Sequence, residues 1–448
     1  MLSKSYQAIK YIYQSYVDAQ PHIPPGLFDV DKRNPRYTRM LLDILGLSTD
    51  ATPTVLITGS KGKGSTSALV ASLQQEAGMK TGLFTGPHLV DFLERIRVDG
   101  DKIPEEDFVR LVGWLRPAAD SLVAKLPPAH YLGPVGLVLV VALAWYRDKM
   151  TDFNVVECGR GALADDTNIL WNRWSVLTPV MLEHRDNLGP SLLDIAANKL
   201  AVVKPGQQVC VSAAQVAEVS HLAQSLCQRF GVPLKLCGRD YRYEVEEWGL
   251  WGCRFNYRSQ RRQSSFQVPL AGRFQAGNAA AAIALVEEID PGRDDALIQS
   301  GLDKVKWPGR CELVEGMPPF ILDGAINRQS AQHLSHLLEV AQRPLQIILA
   351  VPSDKDWQGV ISQLAPLAEN IWLTEASNPH LEFPPSDEVL SHARVYNRNS
   401  AYVSTVDEAM LQAAEKVGQG TVVVAGTQSL IRDAKTVLQS RFGRGQDL

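Results

Sequence analysis

One stretch near the N-terminus decides the fold: Thr54-Val-Leu-Ile-Thr-Gly-Ser-Lys-Gly-Lys-Gly-Ser-Thr66. Its first part, residues 54–58, is apolar or β-branched and predicts a buried strand. The glycines that follow predict a tight turn, and residues from about 65 to 76 have the pattern of a helix. A strand, a Gly-rich turn and a helix in this order favour a loop that binds the phosphates of a nucleotide.

The residue types of this loop suit phosphate binding. Glycines let backbone N–H groups approach phosphate oxygens, and a helix N-terminus adds the positive end of its dipole. Lys63 can reach the outer phosphates, and the Ser65 hydroxyl can hold Mg²⁺. The predicted nucleotide loop consists of Gly59, Gly62, Lys63, Gly64, Ser65 and Thr66. The spacing departs from the GxxxxGK[ST] pattern by one glycine between lysine and serine, so a plain Gly-rich turn is the alternative interpretation.

Strand-like and helix-like segments alternate along most of the chain. This alternation predicts an α/β fold with a doubly wound, mostly parallel sheet. Strands are also expected at 81–85, 153–157, 174–178, 207–212, 320–323, 345–351, 370–374 and 421–425, with helices that include one ending near 229 and those at 329–342 and 406–417. Residues 240–270 alternate polar and apolar positions and predict a small antiparallel portion.

A second βα series follows Trp307-Pro-Gly309 and predicts a second, Rossmann-like α/β domain. The expected division is a nucleotide-binding domain over 1–300 and a C-terminal Rossmann-like domain over 301–448. The Pro-Gly step marks a hinge, and the linker is expected near residues 290–306.

Composition limits the class of protein. The chain has 448 residues, 45% of them hydrophobic and 21% charged, with a net charge of −4. These values are typical of a globular protein and give no basic field for nucleic acid or an anionic membrane. The longest apolar run, residues 135–146, is shorter than the ~20 residues of a membrane span. The N-terminus lacks a secretory signal and the six cysteines form no CxxC pair, so we expect free thiols and a cytoplasmic protein.

Several further motifs follow the loop in a recognisable order. They are Phe84-Thr-Gly-Pro-His-Leu89, Phe92-Leu-Glu-Arg-Ile96, Glu157-Cys-Gly-Arg-Gly-Ala-Leu-Ala-Asp-Asp-Thr-Asn168, Leu182-Glu-His184, Ile195-Ala-Ala-Asn-Lys199, Trp307-Pro-Gly-Arg310 and Asp323-Gly-Ala-Ile-Asn327. Together with the loop they resemble the folylpolyglutamate synthase and dihydrofolate synthase family of the Mur ligase superfamily. Each motif is weak alone, but their order and spacing make the resemblance strong.

The resemblance implies an ATP-dependent ligase that joins an amino acid such as glutamate to a carboxylate through an acyl phosphate. It implies that Ser65, Glu157 and His184 hold Mg²⁺. Asn278 would contact adenine, Arg310 the ATP phosphates and Asp323 the ribose. The implied catalytic residues are Lys63, Lys199 and Arg310, with Lys199 at the position of a lysine that the superfamily carbamylates. The expected partners are small-molecule carboxylate and amino acid substrates, and the expected assembly is a monomer or a small homo-oligomer.

The sequence departs from the family pattern in three places. The family's DGAHNP reads DGAINR, which puts Ile326 in place of a histidine and Arg328 in place of a proline. Lys61 replaces an asparagine in the loop. Two segments that lie toward the acceptor in the family, residues 130–134 and 162–164, also differ, which weakens the folate assignment more than the ATP assignment.

Two alternatives therefore stay open beside the folate enzyme. One is a divergent Mur-type ligase for a non-folate carboxylate of a specialised pathway. The other is an ATP-binding protein with little ligase activity, which Ile326 favours because an isoleucine side chain has no hydrogen-bond donor. His333 and His336 lie three residues apart on a predicted helix and suggest a metal pair, but a solvated helix face is the preferred interpretation.

Overall fold

The structure is a computed structural model that describes residues 3–379 and 381–444. Its largest sheet has eight strands in the order β4-β3-β2-β5-β1-β6-β7-β8. The strands are Thr54–Thr58 (β1), Thr81–Phe84 (β2), Ile96–Val98 (β3), Asp101–Lys102 (β4), Phe153–Glu157 (β5), Trp174–Leu177 (β6), Val209–Ser212 (β7) and Leu234–Leu236 (β8). Parallel pairing joins β2, β5, β1, β6, β7 and β8, which confirms the doubly wound, mostly parallel sheet.

Helices cover this sheet and extend from it. They are Lys4–Ala19 (α1), Asp29–Lys32 (α2), Arg36–Ile44 (α3), Lys63–Glu76 (α4), Glu105–Val123 (α5), Pro134–Lys149 (α6), Arg185–Leu188 (α7), Leu192–Lys199 (α8), Ala217–Phe230 (α9), Gln275–Ile289 (α10) and Asp295–Asp303 (α11). The apolar run in α6 is buried on almost every side, which explains its uniform hydrophobicity. Among the described residues, no helix combines the length and the apolar character that crossing a membrane requires.

The antiparallel portion is a three-stranded meander. Its strands are Tyr241–Gly249 (β9), Gly252–Ser259 (β10) and Gln263–Val268 (β11). Each strand pairs with the next one, as the alternating sequence predicted. The buried face of the meander packs against α10 through aromatic side chains such as Tyr257 and Phe266.

The second βα series forms a six-stranded sheet in the order β12-β13-β17-β14-β15-β16. Its strands are Glu312–Val314 (β12), Phe320–Asp323 (β13), Leu345–Ala350 (β14), Asn370–Leu373 (β15), Ser400–Tyr402 (β16) and Thr421–Gly426 (β17). Its helices are Arg328–Leu338 (α12), Trp357–Leu364 (α13), Ser386–Tyr396 (α14), Val406–Lys416 (α15) and Gln428–Phe442 (α16). Only β12 is antiparallel, so the Rossmann-like second unit is confirmed.

The predicted linker is wrong in one respect. Most of the stretch from 290 to 306 is not an extended connection, because α11 occupies residues 295–303. Asp294 caps this helix, and Ile298 and Leu302 are fully buried. The Ser300 hydroxyl donates to Glu76 at 2.7 Å and so ties α11 to the end of α4. The connection between the two sheets is therefore shorter and begins after α11.

Candidate active site

The Gly-rich loop joins β1 to α4 at the carboxyl end of the large parallel sheet, where such sheets bind ligands. Gly62 has a φ of +85° and ends the loop immediately before the first helical residue. A side chain at Gly59 would collide with Thr178 of the next strand. A side chain at Gly62 would collide with the amide of Asn278. Both positions therefore require glycine, and the helix begins at Lys63 instead of the predicted residue 65.

Lys63 is folded over its own loop. Its Nζ donates to the carbonyls of Gly59 at 3.1 Å and Ser60 at 3.4 Å. The ammonium therefore lies beside the N-terminus of α4, where the helix dipole and the free N–H groups attract an anion. Behind it the hydroxyls of Thr66 and Ser67 are buried and have no hydrogen-bond partner among the residues that the structure describes. The loop has the charge and the backbone geometry that a polyphosphate requires.

Glu157 ends β5 and is only 8% exposed. Burial raises the pKa of this carboxyl to about 7, against the opposing effects of the Lys63 charge, the Gly86 N–H and the Arg310 charge. Its hydrogen bond from the Gly86 backbone N–H is long, at 3.4 Å. A buried carboxylate with so little compensation suits a bound cation, so Glu157 fits the role of Mg²⁺ ligand that the resemblance implies for it.

Arg310 and Asp323 bring the second sheet into the same site. Asp323 ends β13, and its carboxylate accepts hydrogen bonds from the Cys311 backbone N–H at 2.9 Å and the Cys311 thiol at 3.2 Å. Burial raises the pKa of Asp323, whereas the Arg310 charge lowers it. The Arg310 guanidinium lies over Gly324, where a side chain would crowd it. Arg310 also lowers the pKa of Glu157, so charged residues of both units lie close together, in a region that we call the charged cleft.

Lys199 is completely buried behind the loop. Its Nζ donates to the carbonyls of Gly59 at 2.8 Å and Arg160 at 2.6 Å, and lies 3.1 Å from the Glu183 carboxylate. Burial lowers the pKa of Lys199 to about 8, as does the charge of Lys63, whereas Glu183 opposes the shift. The ammonium thus ties the phosphate loop to the two segments that follow β5 and β6.

His184 lies beside this cluster but is exposed, and it has a φ of +50° at the start of α7. Partial burial lowers the pKa of His184, and the Glu183 charge opposes that shift. Within residues 3–379 and 381–444, no three side chains of His, Cys, Asp or Glu cluster closely enough to hold a metal. The Mg²⁺ set of Ser65, Glu157 and His184 therefore stays a prediction.

Asn278 lies near the start of α10, where its Nδ2 donates to Gln275 at 2.8 Å. A cavity of about 420 Å³ opens beside this helix start, between the meander and α12. Its wall includes Phe274 and His333, whose ring centroids are 5.7 Å apart. His333 and His336 are exposed, as predicted for a solvated face, but they also line this cavity.

Two residues of the site had no predicted role. Glu183 stands in a quoted motif beside His184, yet only the fold shows that it pairs with Lys199. The Trp307 ring covers Gly64 in the phosphate loop, where a side chain would collide with it. The sequence marks Trp307 only as part of the Trp307-Pro-Gly309 motif. Its contact with Gly64, 243 positions earlier, could not be predicted from any pattern in the sequence.

No protein-family model matches the chain. The dihydrofolate synthase/folylpolyglutamate synthase of Bacillus subtilis is 27% identical over 394 residues, which is 86% of this chain and 90% of that protein. The folylpolyglutamate synthase of Lacticaseibacillus casei is 27% identical over 410 residues, which is 90% of this chain and 93% of that protein.

Solved structures show the same fold. The folylpolyglutamate synthase of Thermotoga maritima has a TM-score of 0.84 at 22% identity and covers 97% of each chain. A folylpolyglutamate synthase complex with AMPPCP and folate has a TM-score of 0.79 at 24% identity and covers 97% of this chain and 99% of that chain.

The fold and the charged cleft define an ATP-dependent, C–N bond-forming ligase with the Mur-ligase fold. Within that class, the chain is similar over most of its length to folylpolyglutamate synthases and dihydrofolate synthases.

Proposed function

We propose that the protein joins the amine of an amino acid such as glutamate to the carboxylate of a folate-type acceptor, in the cytoplasm, at the expense of ATP. The proposal rests on one observation above all. Glu157 at the end of β5 is within electrostatic reach of both Lys63 in the phosphate loop and Arg310 at the start of the second unit. This proximity supports a reaction site formed by residues of both units.

The first step transfers a phosphoryl group. A carboxylate oxygen of the acceptor attacks the γ-phosphorus of ATP, the bond to the β-phosphate oxygen breaks, and ADP leaves. We assign Lys63 and the loop N–H groups to the phosphates, together with the Arg310 fork, which suits bidentate phosphate contacts. These positive groups balance charge on the phosphoryl oxygens as the acyl phosphate forms.

The second step forms the amide. The amine nitrogen attacks the carbonyl carbon of the acyl phosphate, a tetrahedral intermediate forms, and inorganic phosphate leaves with the bonding electrons. Mg²⁺ bound at Ser65, Glu157 and His184 would neutralise phosphate charge. The remaining assignments are Asn278 to adenine, Asp323 to ribose, and Lys199 to supporting the loop from behind.

We also propose a division into an ATP-binding domain over 1–300 and a C-terminal ligase domain over 301–448, with its boundary moved to the end of α11 because that helix is tied to α4. The charged cleft would then lie near this boundary. Closure of the two units around ATP would exclude water from the acyl phosphate. The substrates are small molecules, and the expected assembly is a monomer or a small homo-oligomer.

A non-folate carboxylate is the second candidate acceptor, and one structural feature favours it. On the side where the family's acceptor segments lie, the Asp166 carboxylate accepts from the Thr38 hydroxyl at 2.6 Å and from the Gly136 N–H at 3.1 Å. A side chain at Gly133 or Gly136 would collide with Asp166. A carboxylate thus fills the space beside residues 130–134, one of the two segments in which the chain departs from the family.

Phosphate release from ATP, measured with purified protein and a panel of acceptors, tests the proposal. Dihydropteroate or a reduced folate with glutamate should give the largest release, and the amide product should be visible by mass spectrometry. If another carboxylate gives the larger release, the non-folate ligase replaces the folate assignment. If ATP binds but no acceptor stimulates its consumption, the protein is an ATP-binding protein with little ligase activity.

A further inference from the structure

A second cavity lies away from the cleft, where β8, the ends of β9 and β10 and the last turn of α10 meet. Its volume is about 410 Å³. The basic side chains in its wall are Lys235, Arg239, Arg242, Arg258 and Arg261. In a chain whose net charge is −4, five cations around one cavity are a strong local concentration of positive charge.

Three of these cations are paired with carboxylates of the protein. Arg239 lies 2.7 Å from Asp240, and Lys235 lies 3.1 Å from Glu288. Arg261 pairs with the same Glu288 carboxylate. Because Lys235 and Arg261 share the single Glu288 carboxylate, these three groups together have a net positive charge.

The third acidic group of the wall is already engaged. The Glu287 carboxylate is 4% exposed and accepts from the Tyr257 hydroxyl at 2.8 Å and the Ser259 hydroxyl at 3.0 Å. It also accepts from Arg262 at 3.1 Å. Glu287 is therefore not available to the other cations of the cavity.

Arg242 and Arg258 remain without a partner. They are directly opposite each other in the antiparallel pair of β9 and β10, so their side chains project from the same face. Both are exposed, and neither has a hydrogen bond or ion pair in the part of the chain that the structure describes. Like charges in this register destabilise a sheet unless an anion lies between them.

We propose that this cavity is a second anion site that binds a small phosphate-bearing molecule between Arg242 and Arg258. Two guanidinium forks can each donate two parallel hydrogen bonds to phosphate oxygens. The volume exceeds that of one phosphate and lies in the range of small-molecule sites. The class of ligand is therefore a diphosphate or a phosphate ester.

The site is independent of the proposed ligase reaction. Along α10, Asn278 faces the phosphate loop and Glu287 borders the second cavity, and the nine-residue step from one to the other spans about 13 Å. The ligand would not compete with ATP for the loop. Failure of the ligase activity would leave this proposal standing, and the reverse also holds.

Calorimetric titration with inorganic pyrophosphate, in Mg²⁺-free buffer, tests the site in the full chain. The key variant is Arg242→Gln/Arg258→Gln, whose melting temperature should not fall because it removes a like-charge pair. We expect its affinity at one site to drop at least tenfold. Arg254→Gln is the matched control: Arg254 is an exposed arginine of the same strand, paired with Glu247 at 3.2 Å, and does not line the cavity.

Lys63→Ala separates the two sites. It should weaken pyrophosphate at the phosphate loop and leave the second site unchanged. The proposal is overturned if the wild-type protein binds pyrophosphate only at the site that Lys63→Ala removes, or if Arg254→Gln weakens binding as much as the double variant. Tighter binding of triglutamate than of pyrophosphate at Arg242 and Arg258 would overturn the phosphate assignment in favour of a polycarboxylate.

Discussion

The ammonium of Lys199 lies 3.1 Å from the carboxylate of Glu183, at a point where the lysine is fully buried. The charge of Glu183 partly offsets the burial that lowers the pKa of Lys199 to about 8. Two backbone carbonyls complete the surroundings of the ammonium. The pair therefore fixes the back of the phosphate loop, and its behaviour can be tested by charge removal and by pH.

Glu183→Gln should destabilise the protein at pH 7 by about 1–2 kcal/mol, because it leaves a buried ammonium without its counter-charge. The native lysine loses its proton near pH 8, whereas the unfolded chain keeps it to about 10.5. Lys199 is thus charged and paired with Glu183 below pH 8, and the loss of unfolding free energy caused by Glu183→Gln should become smaller as the pH rises to 10. Urea unfolding at both pH values measures the difference.

Glu415→Gln is the control, because Glu415 is exposed on a helix and its loss should change stability by less than about 0.5 kcal/mol. An equal cost for Glu183→Gln at pH 7 and pH 10 would contradict the role of the ion pair.

The same contacts predict how much of Lys199 is carbamylated. Each of the three groups around Nζ is an acceptor, so the carbamate oxygens would meet the Glu183 carboxylate. We expect little carbamate in the unliganded wild-type protein and more in Glu183→Gln. ¹³C NMR after equilibration with labelled bicarbonate measures both. A strong carbamate signal in the wild type alone would show that Glu183 is displaced when the lysine is modified.

Lys63→Ala should abolish ATP turnover and leave the fold intact. The side chain contacts only carbonyls of its own loop, so its loss should cost less than about 1 kcal/mol of stability. Loss of a charge that balances the phosphoryl oxygens should lower the rate by 10²-fold or more. Phosphate release and the melting temperature are measured together, with the exposed Lys10→Ala as control. Turnover near the wild-type rate would exclude the loop from phosphate binding.

The first sheet and the loop could be predicted from the sequence because their signals are local. The run from Thr54 to Thr58 is uniformly buried, and the glycines that follow mark the turn. The prediction of the linker was wrong for an equally local reason. Asp294, Ile298 and Leu302 have the spacing of a capped helix with one buried face, but the nearby Pro-Gly step favoured a hinge.

The site was predictable only as far as its motifs reach. Glu157 and Arg310 were expected at the site from the resemblance, whereas their electrostatic contact depends on how two sheets pack. The acceptors of Lys199 lie 140 and 39 residues away in the chain, and two of the three are backbone carbonyls. Backbone carbonyls have no residue type, so no pattern in the sequence could have indicated them.

The Asp166 carboxyl predicts how the stability of the protein depends on pH. Burial raises the pKa of this carboxyl from 3.8 to about 6, so the native protein holds its proton where the unfolded chain has lost it. The contribution of this group to the free energy of unfolding is largest below pH 4 and falls as the pH rises through 6. Asp166→Asn should therefore gain stability relative to the wild type between pH 4 and pH 7, by about 1–2 kcal/mol after allowance for partial exposure.

Thermal unfolding at pH 4, 5, 6 and 7 follows this difference. Asp186→Asn, at an exposed position, serves as the control. A difference between Asp166→Asn and the wild type that is constant with pH would contradict a buried, titrating carboxyl.

Ile326 is the position where the chain departs most clearly from its family. The residue is half-buried in the turn from β13 into α12, and its backbone N–H donates to the Ser330 hydroxyl at 3.2 Å. That bond does not involve the side chain, so Ile326→His should fold normally. We expect the wild-type protein to be a working ligase, because Lys63, Arg310 and a bound Mg²⁺ neutralise more charge than one histidine.

Ile326→His then separates the possible acceptors, with Ile326→Leu as the apolar control. If the histidine variant gains folate ligation sharply and the leucine variant does not, the wild-type site is a folate site with a weakened phosphoryl-transfer step. If activity on an unrelated carboxylate falls in the histidine variant and persists in the leucine variant, the isoleucine belongs to an apolar acceptor pocket. If none of the three proteins consumes ATP with any acceptor while all of them bind it, the ligase proposal is wrong. Phosphate release and product mass, measured in parallel for the three proteins, decide among these outcomes.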